Sequence, residues 1–275
     1  MKNDVILQAE HISVSFRMYD KGLTQYDLNV ISDLSVTVHE GEIMVIVGAS
    51  GSGKSVLAHA ILGILPSNAI VGGRMQYCGR ELDDAVRKEK VGSEIIMIPQ
   101  AVTFLDPVMK VGKQVQGVRG TVEQQKAAFR RYGLKDSVAS MYPFQLSGGM
   151  TRRVLISTAI ISDAKLILAD EPTPGLSEDI ALETMRNFRE LADEGRGILM
   201  ITHDIDIALS VADKIAVFYD GQTVDVVTKE EFLAGGSTLK HPYTRALWEA
   251  LPQNGFKPVD PEDFMNEEAK KGVIA

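Results

Sequence analysis

The residues Gly48-Ala49-Ser50-Gly51-Ser52-Gly53-Lys54-Ser55 decide the fold, because they satisfy every fixed position of the phosphate-loop pattern. Residues 43–47 form an apolar run that predicts a buried strand before the loop, and residues 55–65 predict a helix that ends before Pro66. In such a loop, glycines let backbone N–H groups surround phosphate oxygens, and the helix N-terminus adds its positive dipole end. We expect Lys54 to reach the β- and γ-phosphates and the Ser55 hydroxyl to bind Mg²⁺.

Outward from this loop, short apolar runs alternate with helical patterns. Strands are predicted at residues 34–38, 95–98, 166–169, 197–201 and 215–218, and helices at residues 180–194 and 204–212. This alternation indicates a mainly parallel sheet that is covered by helices on both faces. Residues 100–159 break the alternation, because the patterns at 122–132 and 151–161 are both helical, and they predict an inserted helical subdomain.

Two carboxylates follow the apolar run at residues 166–169. Asp170 and Glu171 are therefore expected at the carboxyl edge of the sheet, where nucleotides bind in open α/β folds. We predict that Asp170 holds Mg²⁺ through water, and that Glu171 orients and deprotonates the attacking water. A solvated acidic turn is the simpler interpretation, but the phosphate loop supplies the partner that such carboxylates need.

A third motif, Leu146-Ser147-Gly148-Gly149-Met150, places two glycines after a serine at a predicted helix start. A helix N-terminus of this composition can receive an anion. One bound nucleotide does not need two anion sites in its own chain. The site at this helix start could therefore bind a nucleotide held by a second chain, so that ATP would lie between the two subunits. A simple capped helix would be the preferred interpretation if the motif stood alone.

Composition and charge exclude several classes of function. The chain has 275 residues, a formal net charge of −8 and one cysteine, Cys78. A single cysteine excludes a disulfide framework and a four-cysteine metal site, and its apolar neighbours predict a small buried side chain. The acidic balance argues against a nucleic-acid-binding surface. The apolar runs are far shorter than the roughly 20 residues that a membrane helix needs.

The motifs occur in the order of an ABC-transporter ATPase, and residues 6–236 resemble that family. The resemblance implies an α/β fold with a RecA-like P-loop NTPase core, an antiparallel β edge subdomain, an inserted α-helical subdomain and head-to-tail dimerisation. The implied nucleotide-binding core covers residues 1–99 and 160–235, and the helical subdomain covers residues 100–159. A C-terminal extension of the oligopeptide-permease type would cover residues 236–275.

Matched residue by residue, the resemblance assigns roles around ATP. Gln100 resembles the glutamine that senses Mg²⁺ and the membrane partner, and His203 resembles the switch histidine at the γ-phosphate. Phe16 would stack on the base, with Tyr19 and Tyr26 as competitors. The implied ATP-binding set is Phe16, Gly48, Ala49, Ser50, Gly51, Ser52, Gly53, Lys54, Ser55 and Val56. The implied residues of hydrolysis are Glu171, His203 and Gln100, the Mg²⁺ set is Ser55, Gln100 and Asp170, and the signature that completes the partner's ATP site is Ser147, Gly148, Gly149 and Met150.

Details of the motifs indicate which group of ABC ATPases the chain resembles. Met150 stands where glutamine is usual, which resembles oligopeptide- and nickel-permease ATPases. Residues 241–247, His-Pro-Tyr-Thr-Arg-Ala-Leu, resemble the C-terminal element of these importers, although a short helix packed on the core is the simpler interpretation. The short tail is slightly more similar to the nickel or metal-chelate branch. Ser177 stands where the family usually has the D-loop aspartate. Tolerated drift is the simpler interpretation of this change, and an altered site in a heterodimer is the alternative. Arg152 replaces a common glutamine.

The resemblance therefore implies a subunit that binds and hydrolyses ATP to energise the import of nickel, a metal chelate or an oligopeptide. ATP and Mg²⁺ are the implied cofactors. The implied partners are a second ABC ATPase in a heterodimer, two membrane permease subunits and an extracytoplasmic solute-binding protein. The implied location is the cytoplasmic face of the cell membrane, and no nucleic acid is expected. Three alternatives stay open: a soluble ABC ATPase that acts on ribosomes or DNA, an export ATPase, and a regulatory subunit that hydrolyses ATP weakly.

Overall fold

A computed structural model describes residues 4–20, 22, 24–49, 51–99, 104–117, 120–162 and 164–254. In chain order its strands are β1 (Val5–Tyr19), β2 (Gln25–His39), β3 (Ile43–Gly48), β4 (Ala69–Tyr77), β5 (Arg80–Glu81), β6 (Ile95–Ile98), β7 (Leu166–Asp170), β8 (Gly197–Ile201), β9 (Lys214–Tyr219) and β10 (Gln222–Thr228). Within the described ranges they form one sheet in the order β5-β4-β1-β2-β10-β9-β3-β8-β7-β6.

Helices cover both faces of this sheet. They are α1 (Lys54–Leu62), α2 (Asp84–Lys90), α3 (Val111–Gln116), α4 (Val122–Arg131), α5 (Gly148–Ile161), α6 (Glu178–Asp193), α7 (Ile205–Leu209), α8 (Lys229–Ala234) and α9 (Pro242–Glu249). Met44 and Ile46 of β3 join the apolar cluster that contains α1, whereas Val45 and Val47 join the cluster that contains α5 and α6. The sheet therefore separates two cores, and the predicted α/β fold is confirmed.

The central strands explain why the sheet is mainly parallel. β9, β3, β8, β7 and β6 run parallel to one another, and every residue of β3, β7 and β8 is buried. Continuous apolar sequence is what a strand needs when helices cover both of its faces. The strands that the sequence predicts at residues 95–98, 166–169, 197–201 and 215–218 all lie in this half of the sheet.

The other half of the sheet is an antiparallel edge. β1 pairs with β2 and β4, and β10 joins this edge to the parallel half by pairing parallel with β2 and antiparallel with β9. A Cβ on Gly53 would lie 2.6 Å from Cγ1 of Val30 in β2. The antiparallel edge therefore packs closely against the phosphate loop.

The expected helical insertion contains α3, α4 and α5. The α4 helix begins with a capping box, in which Thr121 Oγ1 accepts from the Gln124 N–H at 3.1 Å and Gln124 Oε1 accepts from the Thr121 N–H at 2.8 Å. Phe129 of α4 is fully buried in the same cluster as Val154 and Ile156 of α5. The insertion is therefore anchored in the core on which the parallel sheet also packs.

Three local expectations were wrong. The α1 helix ends at Leu62 because Gly63, at φ +70°, takes the left-handed conformation that closes many helices. The helix expected at residues 204–212 covers only Ile205–Leu209. Cys78 is exposed, because Tyr77 ends β4 and Cys78 starts the turn to β5 with φ +47°.

The chain after β10 continues into the core for as far as it is described. Leu239 and Tyr243 are buried in the cluster that contains α5 and α6. Residues 236–254 are thus part of the packed fold, and residues 255–275 lie outside the described ranges. Among the described helices, none is both long and apolar enough to cross a membrane.

Candidate functional site

Three parallel strands bring the predicted site residues to one edge of the sheet. Ile201 at the end of β8 pairs with Ile46 of β3 on one side and with Asp170 of β7 on the other. The segments that follow these strands therefore leave the sheet side by side. They are the phosphate loop after β3, Glu171 after β7, and Thr202 with His203 after β8.

The phosphate loop is closed around its own lysine. Lys54 Nζ donates to the carbonyl oxygens of Gly48 and Ala49 at 2.9 and 2.7 Å, and to Ser52 Oγ at 3.3 Å. Gly53 adopts φ +93° at the start of α1, a conformation that glycine reaches at little cost. Burial lowers the pKa of Lys54, and the nearby carboxylates of Glu171 and Asp170 act in the opposite direction.

A hydrogen bond joins the start of α1 to the end of β7. Ser55 Oγ donates to Asp170 Oδ1 at 2.9 Å. Asp170 is buried, and burial raises its pKa, while the bond from Ser55 opposes this shift and the charge of Glu171 adds to it. The expected contact between Ser55 and Asp170 is therefore present. In this contact the partner of the buried carboxylate is a neutral hydroxyl and not a positive charge.

Glu171 is held by the end of β8. His203 Nδ1 lies 2.8 Å from Glu171 Oε1, a distance at which a protonated Nδ1 donates to the carboxylate, and Thr202 Oγ1 donates to Oε2 at 3.3 Å. Glu171 has φ +45°, which is unusual for a residue with a side chain and recurs at functional sites. The His203 ring is 57% exposed, so it can also face a ligand.

Arg152 of α5 connects the helical insertion to this edge. Its guanidinium donates to the backbone carbonyl of Pro99 at 2.8 Å and to that of Glu171 at 3.2 Å. The side chain is buried, and this burial lowers its pKa. Arg152 therefore holds the backbone of Glu171 and the residue before Gln100 at the same time.

The signature motif presents an open helix N-terminus. Ser147 caps α5, and its hydroxyl accepts from the Met150 N–H at 3.3 Å. Ser147 and Gly148 are exposed, and a Cβ on Gly148 would meet no atom within 4 Å. Met150 packs against the core cluster, so its thioether is used in apolar contacts. Ser177 begins α6 without a side-chain cap bond and is also exposed.

The remaining predicted site residues are Gln100, Ser50 and the three candidate aromatic residues for base stacking. Gln100 and Ser50 lie outside the described ranges. Phe16 is half-buried and packs with Val56 against the α1 side of the core, whereas Tyr19 and Tyr26 are exposed. The assignment of the base-stacking aromatic stays a prediction. Among the described residues there is no cluster of three or more His, Cys, Asp or Glu side chains that could hold a metal on its own.

A comparison with known protein families shows to which family the chain belongs. A family model described as "ABC transporter" matches residues 31–174, which include the phosphate loop, the signature and Glu171. The chain belongs to the ABC transporter family. Its recognition as an ATPase of this family is confirmed, and the chain is an enzyme that binds and hydrolyses ATP.

Curated relatives point to one group of ABC ATPases. The chain is 34% identical to the oligopeptide transport ATP-binding protein OppD of Lactococcus lactis subsp. cremoris (strain SK11), over 92% of this chain and 77% of the relative. It is also 34% identical to the dipeptide transport ATP-binding protein DppD of Escherichia coli (strain K12), over 90% of this chain and 79% of the relative.

Solved structures share the fold. The ATP-binding cassette MJ0796, in a dimeric post-hydrolysis state bound to ADP and phosphate, superposes with a TM-score of 0.71 at 22% identity, covering 82% of this chain and 99% of that one. The structure of the ATP-binding subunit of another ABC transporter gives a TM-score of 0.67 at 20% identity, covering 95% of this chain and 98% of that one. These likenesses confirm the cassette fold.

Sequence reasoning missed two residues near this edge. Thr202 stands between a predicted strand and the predicted switch histidine, so its position at a strand end was a usable signal. Tyr243 lies in the His-Pro-Tyr element, and its ring packs against the ring of Tyr219 with the centroids 4.3 Å apart. No local pattern could have indicated that contact, because it depends on how the C-terminal segment packs.

Proposed function

We propose that this chain hydrolyses MgATP to energise the import of oligopeptides or dipeptides through partner permeases. The observation that carries the ATPase part is the hydrogen bond from Ser55 to Asp170, with the Glu171–His203 pair beside it. The peptide assignment rests on relatives that are named for oligopeptide and dipeptide transport. Nickel or a metal chelate is the competing cargo.

Mg²⁺ suits the contact between the phosphate loop and β7. The Ser55 hydroxyl and the Asp170 carboxylate are hard oxygen ligands that already meet at 2.9 Å. Mg²⁺ commonly takes one or two protein ligands and completes its shell with water and substrate phosphates. We therefore assign Ser55 and Asp170 to Mg²⁺, directly or through water, and keep Gln100 as a predicted member of the set. Bound Mg²⁺ would neutralise charge on the phosphates.

Glu171 is suited to the role of general base. Its carboxylate is held by Thr202 and His203, and its backbone carbonyl is held by Arg152. A carboxylate fixed in this way can accept a proton from water as the water oxygen attacks the γ-phosphorus and ADP leaves. We assign His203 and Lys54 to the charge on the transferred phosphoryl group. Lys54 must then leave the loop carbonyls that it now contacts.

A glutamine substitution tests this assignment. Glu171→Gln removes the proton acceptor but keeps the side-chain shape, so we expect ATP turnover to fall by about 10²- to 10⁴-fold while ATP binding is retained. The matched control is Glu230→Gln, an exposed glutamate in the first turn of α8. Phosphate release and equilibrium ATP binding are measured on the purified full chain. If Glu171→Gln hydrolyses ATP over multiple turnovers at the wild-type rate, Glu171 is not the general base.

The exposed signature supports a dimer in which each subunit completes the other's ATP site. The backbone N–H groups at the start of α5, which Ser147 caps, can bind an anionic phosphate group of ATP that a second chain holds. We propose that the partner is a different ABC ATPase, because Ser177 lacks the charge that is usual at the D-loop. The subunits would lie at the cytoplasmic face of the membrane, with two permeases and an extracytoplasmic solute-binding protein.

An apolar groove beside the signature supports contact with a permease. It has a volume of about 390 Å³, and its lining includes Leu105, Phe144 and Leu146. Phe144 is 75% exposed, and large exposed apolar side chains in a groove commonly mark an interaction site. Affinity purification of the tagged chain from native membranes tests this assembly. Permeases, a second ATPase and a binding protein should accompany it, and recovery of ribosomes or DNA-repair proteins would remove the importer assignment.

The cargo is tested on the binding protein from the same purification. An ATPase subunit does not contact the cargo, so no residue of this chain can identify it. The purified binding protein should bind short peptides, as measured by calorimetry with a defined tripeptide and with NiCl₂. Binding of nickel without binding of peptide would replace the peptide assignment by the metal branch.

A further inference from the structure

Two hydrogen bonds fix the buried hydroxyl of Thr202, the residue that follows β8. Thr202 Oγ1 accepts from the Asp204 N–H at 3.0 Å and donates to Glu171 Oε2 at 3.3 Å. An amide N–H can only donate and an ionised carboxylate can only accept, so the single proton of the hydroxyl is directed at Glu171. Thr202 is 2% exposed, which limits the competition of water for this proton.

The backbones on both sides of this contact are held by the central strands. The Thr202 N–H donates to the Ile46 carbonyl of β3 at 3.1 Å, and the Glu171 N–H donates to the Ile201 carbonyl of β8 at 2.8 Å. These bonds extend the pairing of β8 with β3 and with β7 past the last paired residues. A contact between two segments held in this way is precise, because the sheet fixes both backbones.

The two carboxylate oxygens of Glu171 have partners that differ in exposure. Oε2 faces the buried hydroxyl of Thr202, whereas Oε1 lies 2.8 Å from Nδ1 of His203, whose side chain is 57% exposed. Water from solvent therefore reaches the carboxylate from the side of Oε1. A carboxylate oxygen has two lone pairs, so Oε1 can bond to His203 and still accept a proton from water.

We propose that Thr202 is a positioning residue for ATP hydrolysis, because its hydroxyl holds Oε2 and thereby turns Oε1 towards the attacking water. This inference deepens the proposed function and rests on the assignment of Glu171 as general base. In the reaction the water oxygen forms a bond to the γ-phosphorus, the bond from that phosphorus to the ADP oxygen breaks, and the water proton passes to Oε1. Thr202 exchanges no proton and does not need to touch ATP.

A purely structural role for Thr202 makes a different prediction. A threonine hydroxyl that accepts from the N–H two residues later forms a common local turn, and this turn alone would only shape the start of α7. Asp204 supports the same helix start, because its Oδ1 accepts from the Ile207 N–H at 3.3 Å. Under a structural role, loosening α7 at Asp204 would lower ATP turnover as much as the loss of the Thr202 hydroxyl.

The test compares four variants of the full chain. Thr202→Val removes the hydroxyl with little change of shape, and Thr202→Ser keeps it. Thr184→Val is the matched control for the loss of a buried threonine hydroxyl, because Thr184 is 3% exposed and donates to the Ile180 carbonyl at 2.8 Å. Asp204→Ala removes the side-chain cap of α7 but keeps the N–H that donates to Thr202. Thr202→Ala, which also lacks the hydroxyl, replaces Thr202→Val if that variant does not fold.

Three properties are measured on each protein. They are kcat and KM for Mg·ATP from steady-state phosphate release, the Tm, and the ¹³C NMR signal of the Glu171 carboxyl in the nucleotide-free chain, assigned with Glu171→Gln. We expect Thr202→Val to lower kcat by about 5- to 50-fold, as for the loss of one hydrogen bond to a charged group, and to change KM by less than about 3-fold. Its Glu171 signal should move. Thr202→Ser should keep kcat within about 3-fold of wild type and leave the signal in place.

The two controls should lower the Tm and leave both kcat and the Glu171 signal near their wild-type values. Wild-type kcat in Thr202→Val, an equal loss of kcat in either control, or a loss that Thr202→Ser shares would overturn the proposal. If the wild-type chain does not hydrolyse Mg·ATP, the proposed function fails instead. The Glu171 signal then still tests the contact, because an unchanged signal in Thr202→Val means that Thr202 does not hold this carboxylate.

Discussion

Replacing Arg152 by methionine should separate the positioning of Glu171 from the binding of ATP. The guanidinium of Arg152 reaches the carbonyl oxygens of Pro99 and Glu171 at 2.8 and 3.2 Å from within a buried site. Methionine has a similar length and no donor, so the change leaves both carbonyls without this partner. The side-chain contacts of Glu171 with Thr202 and His203 remain possible.

The magnitude follows from two opposing effects. Hydrogen bonds from charged donors contribute about 1.5–3 kcal/mol each, and Arg152 makes two of them to carbonyls. Burial lowers the pKa of Arg152, which means that the charged form is destabilised at this site and that part of the gain is lost. We therefore expect Arg152→Met to lower the free energy of unfolding by about 2–4 kcal/mol, a loss of roughly 4–16 °C in Tm.

The catalytic effect should exceed what this loss of stability explains. Glu171 holds φ +45° while its carbonyl is bound to Arg152, so release of the carbonyl lets the backbone relax and moves the carboxylate. Displacement of a reacting group by about 1 Å can cost up to about 10²-fold in rate. We expect kcat for ATP hydrolysis to fall by about 10- to 100-fold at a temperature where the variant is folded, with ATP affinity changed by less than about 3-fold.

The adjacent arginine supplies the control. Arg153 donates to the carbonyls of Gly149 at 3.3 Å and Tyr132 at 3.4 Å, both within the helical insertion. Arg153→Met should lower Tm by less than Arg152→Met and leave kcat near the wild-type value. Steady-state phosphate release, ATP binding by calorimetry and thermal unfolding are measured on all three proteins. If Arg152→Met keeps the wild-type kcat, the guanidinium does not position Glu171 and the reasoning is refuted.

Three further predictions concern the loop, the buried carboxylate and the D-loop. Gly48→Ala should unfold at a much lower temperature than Gly51→Ala, because a Cβ at residue 48 would lie 2.2 Å from the backbone oxygen of Phe218. A Cβ at residue 51 would meet no atom within 4 Å, so the only cost of Gly51→Ala is the strain of φ +78°, which should lower the free energy of unfolding by about 1–2 kcal/mol. Asp170→Asn should raise the Tm of the nucleotide-free protein at neutral pH, because burial raises the Asp170 pKa and disfavours its charge; this gain should vanish in melts below about pH 4. Ser177→Asp should change the ATPase rate of the assembled transporter, and unchanged kinetics would remove the heterodimer argument from this residue.

The parallel half of the fold could be predicted because its signals are local. The runs at residues 43–47 and 166–169 are apolar throughout, and a strand buried on both faces requires this composition. Parallel strands end at a common edge, so the meeting of Ser55 with Asp170 followed from their positions after β3 and β7. The same reasoning would have placed Thr202 at this edge, since it follows β8.

The contacts that could not be predicted join segments far apart in the chain. Arg152 was noted only as a departure from the usual glutamine, because periodicity within α5 does not reveal which carbonyls its guanidinium reaches. Cys78 was expected to be buried because its neighbours are apolar, but a strand that ends one residue earlier turns it outward. The position of Tyr243 beside Tyr219 depends on Asp225, which accepts hydrogen bonds from His241 and Thr244 and belongs to a strand that the sequence pattern did not indicate.

Two strands support the ends of the phosphate loop. β9 pairs with its first residue at Gly48–Phe218, and β7 contacts its last residue through the hydrogen bond from Ser55 to Asp170. Lys54 donates to two carbonyl oxygens of the loop itself, those of Gly48 and Ala49. Because Lys54 must leave these carbonyls to reach a phosphate, mutations in the two supports should change nucleotide affinity mainly by loosening the loop.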